Sequence, residues 1–158
     1  MINIEIEMMC GDVIKAELYP DVAPITVENF VNLINENFFD GLIFHRVIRG
    51  FMIQGGGYDA NGNHKDAASI KGEFTANGVT NNLKHTRGVL SMARTMFPNS
   101  ASSQFFIMHE DAPHLDGQYA AFGKVTEGIE AVDKIANCAT DMGDAPLEAQ
   151  VIKTIRIA

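Results

Sequence analysis

Apolar residues that recur with a period of two, in short runs spread along the whole chain, constrain this sequence more than any other feature. Ile2, Ile4 and Ile6 alternate with Asn3, Glu5 and Glu7, and after the turn chemistry of Gly11-Asp12 the pattern resumes with Ile14, Ala16 and Leu18 around Lys15 and Glu17. Such alternation places one apolar face on each strand, and the two runs predict a hairpin. Further runs follow at Ile43 to Gln54, broken by a bend at Gly50, and at Val89–Ala93, Gln104–Met108, Tyr119–Val125 and Val151–Ile157. Only two stretches carry the helical period. Pro24 suits a first helical turn, with Val27, Phe30, Val31 and Ile34 on one stripe, and Ile129, Val132, Ile135 and Ala136 mark a second helix. About eight short strands with about two helices predict a sandwich or a closed barrel, and periodicity alone does not choose between them.

The 158 residues are 46% hydrophobic and 20% charged, as expected for one globular domain over residues 1–158. Lys and Arg number 12 against 20 Asp and Glu, and a net charge of -8 opposes binding to nucleic acid or to an anionic membrane surface. The N-terminus has neither a basic segment nor an apolar one of the signal-peptide kind, and no apolar run approaches the ~20 residues that span a bilayer. Cys10 and Cys138 form no CxxC or metal-ligand spacing. These features predict a reduced, cytoplasmic, monomeric protein with buried free thiols.

Three segments concentrate large apolar side chains around single planar polar groups: Phe44 to Gly57, Ser91-Met92-Ala93 and Ser103 to Ile107. Core packing accounts for Phe51, Met52 and Phe106 taken one at a time. Arg46 is different. Within an apolar strand its guanidinium must reach solvent, pair with an acid or face a cavity, and composition leaves these three open. Arg46, Met52 and Gln54 share parity, which allows them one face. The polar, aperiodic stretch from Gly55 to Asn82 reads as a long functional loop.

Other chemistries fail on spacing. Gly55-Gly56-Gly57 is not followed by the Gly-Lys-Ser/Thr of a phosphate loop, and the run beginning at Asp59 places His64 and Ile70 where a calcium loop needs Gly and Glu. The histidines at 45, 64, 85, 109 and 114 form no HExxH, and no serine stands in a GxSxG elbow, so solvated or structural histidines are expected. Neither metal nor cofactor is expected.

Taken together, Phe44-His45-Arg46-Val47-Ile48, Gly50-Phe51-Met52-Ile53-Gln54-Gly55-Gly56, Ser91-Met92-Ala93 and Ser103-Gln104-Phe105-Phe106-Ile107 resemble the cyclophilins. Ala23 to Phe30, Leu83-Lys84-His85-Thr86, Leu115-Asp116-Gly117 and Phe122-Gly123-Lys124-Val125 extend the resemblance over nearly the whole chain. It implies a mainly β fold, an eight-stranded antiparallel closed barrel capped by two α-helices, with a substrate groove on the outer wall. It also implies peptidyl-prolyl cis-trans isomerisation, or, as the alternative, a non-catalytic module or holdase that binds proline segments in the same groove. Carried over by position, Arg46 and Gln54 would be catalytic. Phe51, Met52, Phe106 and Leu115 would form the proline pocket, Gln104 would add to its polar wall, and Ala93 and Arg94 would flank the residue preceding proline.

Proline-containing peptides and unfolded or folded client proteins are the partners implied. His114 stands where the best-known eukaryotic members have tryptophan, which predicts weakened affinity for cyclosporin-type inhibitors. Tyr119 replaces a pocket histidine, keeping a hydroxyl but no cationic form near neutrality, and Arg94 replaces an asparagine. These departures resemble the bacterial branch.

Overall fold

The computed structural model describes residues 1–158. Its elements follow the periodicity of the sequence: β1 (Ile2–Met8), β2 (Val13–Leu18), α1 (Pro24–Asn35), β3 (Arg46–Ile48), β4 (Met52–Gly55), β5 (Val89–Met92), β6 (Phe105–Met108), β7 (Ala121–Glu127), α2 (Ile129–Ala136) and β8 (Ile152–Ile157). All pairings are antiparallel, and the eight strands form one sheet in the order β3-β4-β6-β5-β7-β2-β1-β8. The expected hairpin is β1–β2, turned at Gly11 with φ +97°.

The barrel is not closed by a strand ladder. β3 and β8 are the two ends of the sheet, and the seam between them is an isolated bridge, Ile43↔Val151. Flanking hydrogen bonds reinforce it: Phe44 N–H to the Gln150 carbonyl (3.0 Å) and Ile152 N–H to the Leu42 carbonyl (2.8 Å). The physical reason lies in the shortness of β3. It spans three residues, and its Val47 N–H donates to the Asp144 carbonyl (2.8 Å), so a loop covers that edge where a neighbouring strand would pair.

The interior is built on aromatic contacts. Phe30 of α1 lies 5.0 to 5.2 Å, centroid to centroid, from Phe39, Phe105 and Phe122. Strand residues of one parity, among them Val47, Ile53, Leu90 and Ile107, fill the remainder. Residues of the opposite parity do not simply face water. Met52, Val89, Phe106, Met108, Leu115 and Ala121 belong to a second, smaller apolar cluster.

Gly55 closes β4, and the rest of the stretch to Asn82 carries no named strand or α-helix, as expected, but it is tied to the fold at defined points. Glu73, 2% exposed, accepts hydrogen bonds from the Thr26 N–H (2.6 Å) and the Thr26 hydroxyl (2.7 Å). Thr26 is the third residue of α1, whose N-terminus has no side-chain cap of its own, so the loop supplies the acceptor that this end of the helix lacks. A turn of 3₁₀ helix follows at Thr75–Asn77. α2 begins behind Gly128, whose φ of +84° and approach to the Val13 carbonyl, 2.3 Å from any added Cβ, admit only glycine.

Both cysteines are free. Cys138 is half-buried, but Cys10 is exposed, against expectation, because it sits in the β1–β2 turn. No helix is long and apolar enough to cross a membrane.

Candidate active site

The second cluster is the floor of a groove on the outer face of β3, β4, β6 and β5. Register sets its layout: Arg46 pairs with Gln54, Gln54 with Phe106, and Phe106 with Ser91, so these four side chains form one row across the sheet. Ile48, Met52 and Met108 make the next row. The parity shared by Arg46, Met52 and Gln54 in the sequence therefore becomes a common face.

A cavity of about 380 Å³ opens there, lined by Arg46, Phe51, Met52, Gln54, Ala93, Arg94, Phe106, His114, Leu115 and Tyr119. Of the eleven residues singled out in the sequence, only Gln104 stands outside it. Gln104 lines an adjoining polar cavity of about 270 Å³ that shares Gln54, Ala93 and Arg94 with the first. Met52, Phe106 and Leu115 are each under a tenth exposed, and together with Phe51 they give the larger cavity an apolar cup.

The polar side is a relay. Arg46 Nη1 donates to Gln54 Oε1 at 3.3 Å, and Gln54 Nε2 donates to Gln104 Oε1 at 3.0 Å. Arg46 is exposed and belongs to none of the ion pairs of the molecule. Of the three fates open to it, the structure shows an unpaired guanidinium at the rim of a cavity. Its bond to a neutral amide at 3.3 Å is long for an N–H···O contact, so little is lost when another acceptor takes its place.

Arg94 is fixed more firmly. Its Nε and Nη2 donate to the Gln118 carbonyl (3.1 and 2.7 Å), Nη1 donates to the Thr95 carbonyl (2.9 Å), and the guanidinium lies 4.7 Å from the ring centroids of both Phe74 and Tyr119. Tyr119 in turn meets Phe106 edge-on at 5.8 Å. On the opposite rim His114 lies 5.9 Å from Phe51.

Beneath the cup is a buried network that the sequence reading did not assign. His85 is 1% exposed, and its Nδ1 donates to Asp116 Oδ1 (3.0 Å) while Nε2 accepts from the Ser91 hydroxyl (2.9 Å). The His85 N–H reaches the same carboxylate at 2.6 Å. The ring stacks on Phe106 at 6.1 Å with 22° between planes. Burial pushes the His85 pKa below its usual value and outweighs the opposing pull of Asp116. With its pKa pushed down the imidazole is neutral, and because the carboxylate can only accept, Nδ1 carries the proton and Nε2 is left to accept from Ser91. One signal was present in the sequence: Ser91 is a polar residue inside the apolar run Val89–Met92, facing the same way as Phe106. A second missed histidine, His109, accepts from the Gly50 N–H at Nδ1 (2.9 Å) and ties the β3–β4 turn to Asp133 of α2 (3.2 Å). Both are structural, as the absence of histidine motifs predicts.

A pH dependence follows from two of these side chains. Burial lowers the pKa of His45 as well as of His85, with Arg46 and His64 adding to the effect at His45. Each histidine then binds its proton more weakly folded than unfolded. Their contribution to stability is complete above the unfolded value of 6.5 and is lost as pH falls through that value toward the folded one. Carboxylates held low by partners, such as Asp133 beside Arg87 and Glu7 beside Arg156, give up stability only in more acid solution, below 3.8 and 4.5. The urea midpoint followed by far-UV circular dichroism should therefore decline between pH 7.5 and 5.5, before any carboxylate titrates. A flat profile over that range would contradict the neutral, buried assignment.

An apolar cup, an unpaired guanidinium at its edge and an amide pair lie together on the outer wall of an eight-stranded antiparallel sheet, the layout that the resemblance to the cyclophilins implies. A family model described as cyclophilin type peptidyl-prolyl cis-trans isomerase/CLD matches residues 1–157. The chain belongs to the cyclophilin-type peptidyl-prolyl cis-trans isomerases. Among its relatives, a peptidyl-prolyl cis-trans isomerase of Acinetobacter baylyi is 48% identical over 143 residues, covering 87% of this chain and 73% of that protein. Peptidyl-prolyl cis-trans isomerase B of Bacillus subtilis is 45% identical over 141 residues, covering 89% and 92%. A cyclophilin type isomerase of Cryptosporidium parvum, crystallised in the presence of the dipeptide Ala-Pro, superimposes with a TM-score of 0.84 at 32% identity, covering 99% of this chain and 98% of that one.

Proposed function

We propose that the groove is where this isomerase binds and turns the X-Pro bond. The observation that carries this is Arg46, a guanidinium without a carboxylate partner beside a cup lined by Phe51, Met52, Phe106 and Leu115. The crystallisation of the Cryptosporidium relative with Ala-Pro supports a proline peptide as the occupant. The cup takes the pyrrolidine ring, Gln54 donates to the carbonyl that rotates, and the backbone at Ala93 and Arg94 lies beside the residue preceding proline.

The barrier to rotation is ~18–20 kcal/mol because twisting removes amide resonance. In the twisted state the proline nitrogen regains a basic lone pair, and Arg46 donates to it more strongly than to the planar amide. Such differential binding is the source of catalysis. Gln54 competes for Arg46 only weakly, so the guanidinium is free to change acceptors. The test is exchange spectroscopy on a short Ala-Pro peptide together with amide shift mapping of ¹⁵N-labelled protein. Fast cis/trans exchange with shifts confined to the groove supports the reading. Shifts elsewhere, or binding without exchange as in a holdase, would refute it.

In the cell, this isomerase acts as a monomer and assists folding of cytoplasmic client proteins whose slow steps are proline-limited, at tens to hundreds of seconds uncatalysed. Its net charge of -8 supports a peptide partner rather than nucleic acid or membrane. Cyclosporin-type inhibitors bind weakly because His114 offers less apolar area than an indole at that rim. His114→Trp should tighten cyclosporin binding about tenfold by calorimetry, as one large aromatic contact accounts for about 1 to 1.5 kcal/mol. Unchanged affinity would remove His114 from the inhibitor contact.

A further inference from the structure

The loop that leaves the groove at Arg94 presents two consecutive large apolar side chains to solvent, Met96 at 93% and Phe97 at 76% exposure. Loops that expose such residues through mere looseness are not held by their own side chains. This one is: the Ser100 hydroxyl accepts from the Thr95 N–H and pairs with the Thr95 hydroxyl (both 2.9 Å), and donates to the Phe97 carbonyl (2.7 Å). Thr95 Oγ1 also receives the Phe97 N–H at 3.2 Å. Four hydrogen bonds thus fix the backbone that displays the apolar pair, while Arg94 anchors its base to the Gln118 carbonyl.

The position of the loop identifies its occupant. Thr95 and Ser100 line the polar cavity that shares Gln54, Ala93 and Arg94 with the larger one, so the two cavities adjoin and the two residues that hold the tip stand on the wall of the second. We propose that Met96 and Phe97 are a second contact for extended, unfolded polypeptide, gripping apolar side chains upstream of the proline being turned. This rests on the placement of the X-Pro bond given above. Three residues span at most about 10 Å, and an extended peptide advances about 3.3 Å per residue. The tip is therefore within reach of the third and fourth residues before proline. A tetrapeptide ending shortly before that point would not touch it, whereas a client chain would.

Two peptides test the proposal, one with leucine and one with serine at the third and fourth positions before a single proline. For wild type, KM for the leucine peptide should be about five- to tenfold lower, the range expected from partial burial of two apolar side chains. In the Met96→Ser/Phe97→Ser variant that preference should vanish, with the serine peptide turned over as by wild type. Equal KM values for the two peptides in wild type would overturn the proposal while leaving the assignment of the groove intact. Sedimentation velocity supplies the other arm. Concentration-dependent association of wild type that the double variant abolishes would make the tip a contact between copies of this chain instead; a monomer in both cases agrees with a client surface.

Discussion

Arg46→Ala should lower kcat/KM for X-Pro isomerisation by about 10²- to 10³-fold while leaving peptide affinity within a few-fold of wild type. The asymmetry comes from where Arg46 stands. Its guanidinium sits on the rim of the cup, exposed, and its only side-chain hydrogen bond is the 3.3 Å contact with Gln54. Removing it leaves Phe51, Met52, Phe106 and Leu115 to hold the proline ring, so ground-state binding survives. What disappears is the donor that the pyramidal nitrogen meets only in the twisted state, and loss of one preorganised donor of that kind costs about 2.7 to 4 kcal/mol. Arg46→Lys should recover little, because an ammonium on a flexible stem cannot reproduce a planar fork held beside the Gln54 amide. Exchange spectroscopy gives the rate and peptide titration the affinity. A variant that turns over within threefold of wild type would remove Arg46 from the chemistry, and one that no longer binds would make it a binding residue rather than a catalytic one.

The row to which we assign this chemistry was readable because period two fixes which side chains share a face. Arg46, Met52 and Gln54 have one parity, and the register places them together. The sequence could not say that this face had an apolar floor of its own. Read singly, Phe51, Met52 and Phe106 look like core. They do pack in a cluster, Met52 and Phe106 almost fully buried, but it is a cluster distinct from the barrel interior and open on one side. Parity reports a face and never its partner. For the same reason, contacts made across long separations were illegible: Glu73 capping α1 from 47 residues away, and the seam that joins the sheet ends through Ile43 and Val151 instead of a ladder. Gln104 shows the finer limit. The resemblance implies it as part of the polar wall; it stands one residue ahead of β6 and lines the adjoining cavity, where it accepts from Gln54.

His85→Ala should lower stability by about 3 to 5 kcal/mol, a large share of the ~5–15 kcal/mol typical of a domain. Two costs combine. Deleting the ring opens a cavity under Phe106, against which it stacks at 6.1 Å, and it strands the fully buried Ser91 hydroxyl, while Asp116 Oδ1 loses one of its two bonds and keeps the backbone N–H of residue 85. His85→Phe separates them. It restores the volume but leaves the Ser91 hydroxyl without a partner, so its loss should be smaller, about 1 to 3 kcal/mol. Urea unfolding by circular dichroism measures both. If His85→Ala costs less than 1 kcal/mol, water replaces the imidazole and the network has no structural weight. The same substitution should reach catalysis through packing, since Phe106 is held between His85 and Tyr119 and forms the floor of the cup. In folded His85→Ala protein, KM should rise several-fold more than kcat falls, because a loosened floor weakens the grip on the proline ring while Arg46 keeps its place on β3.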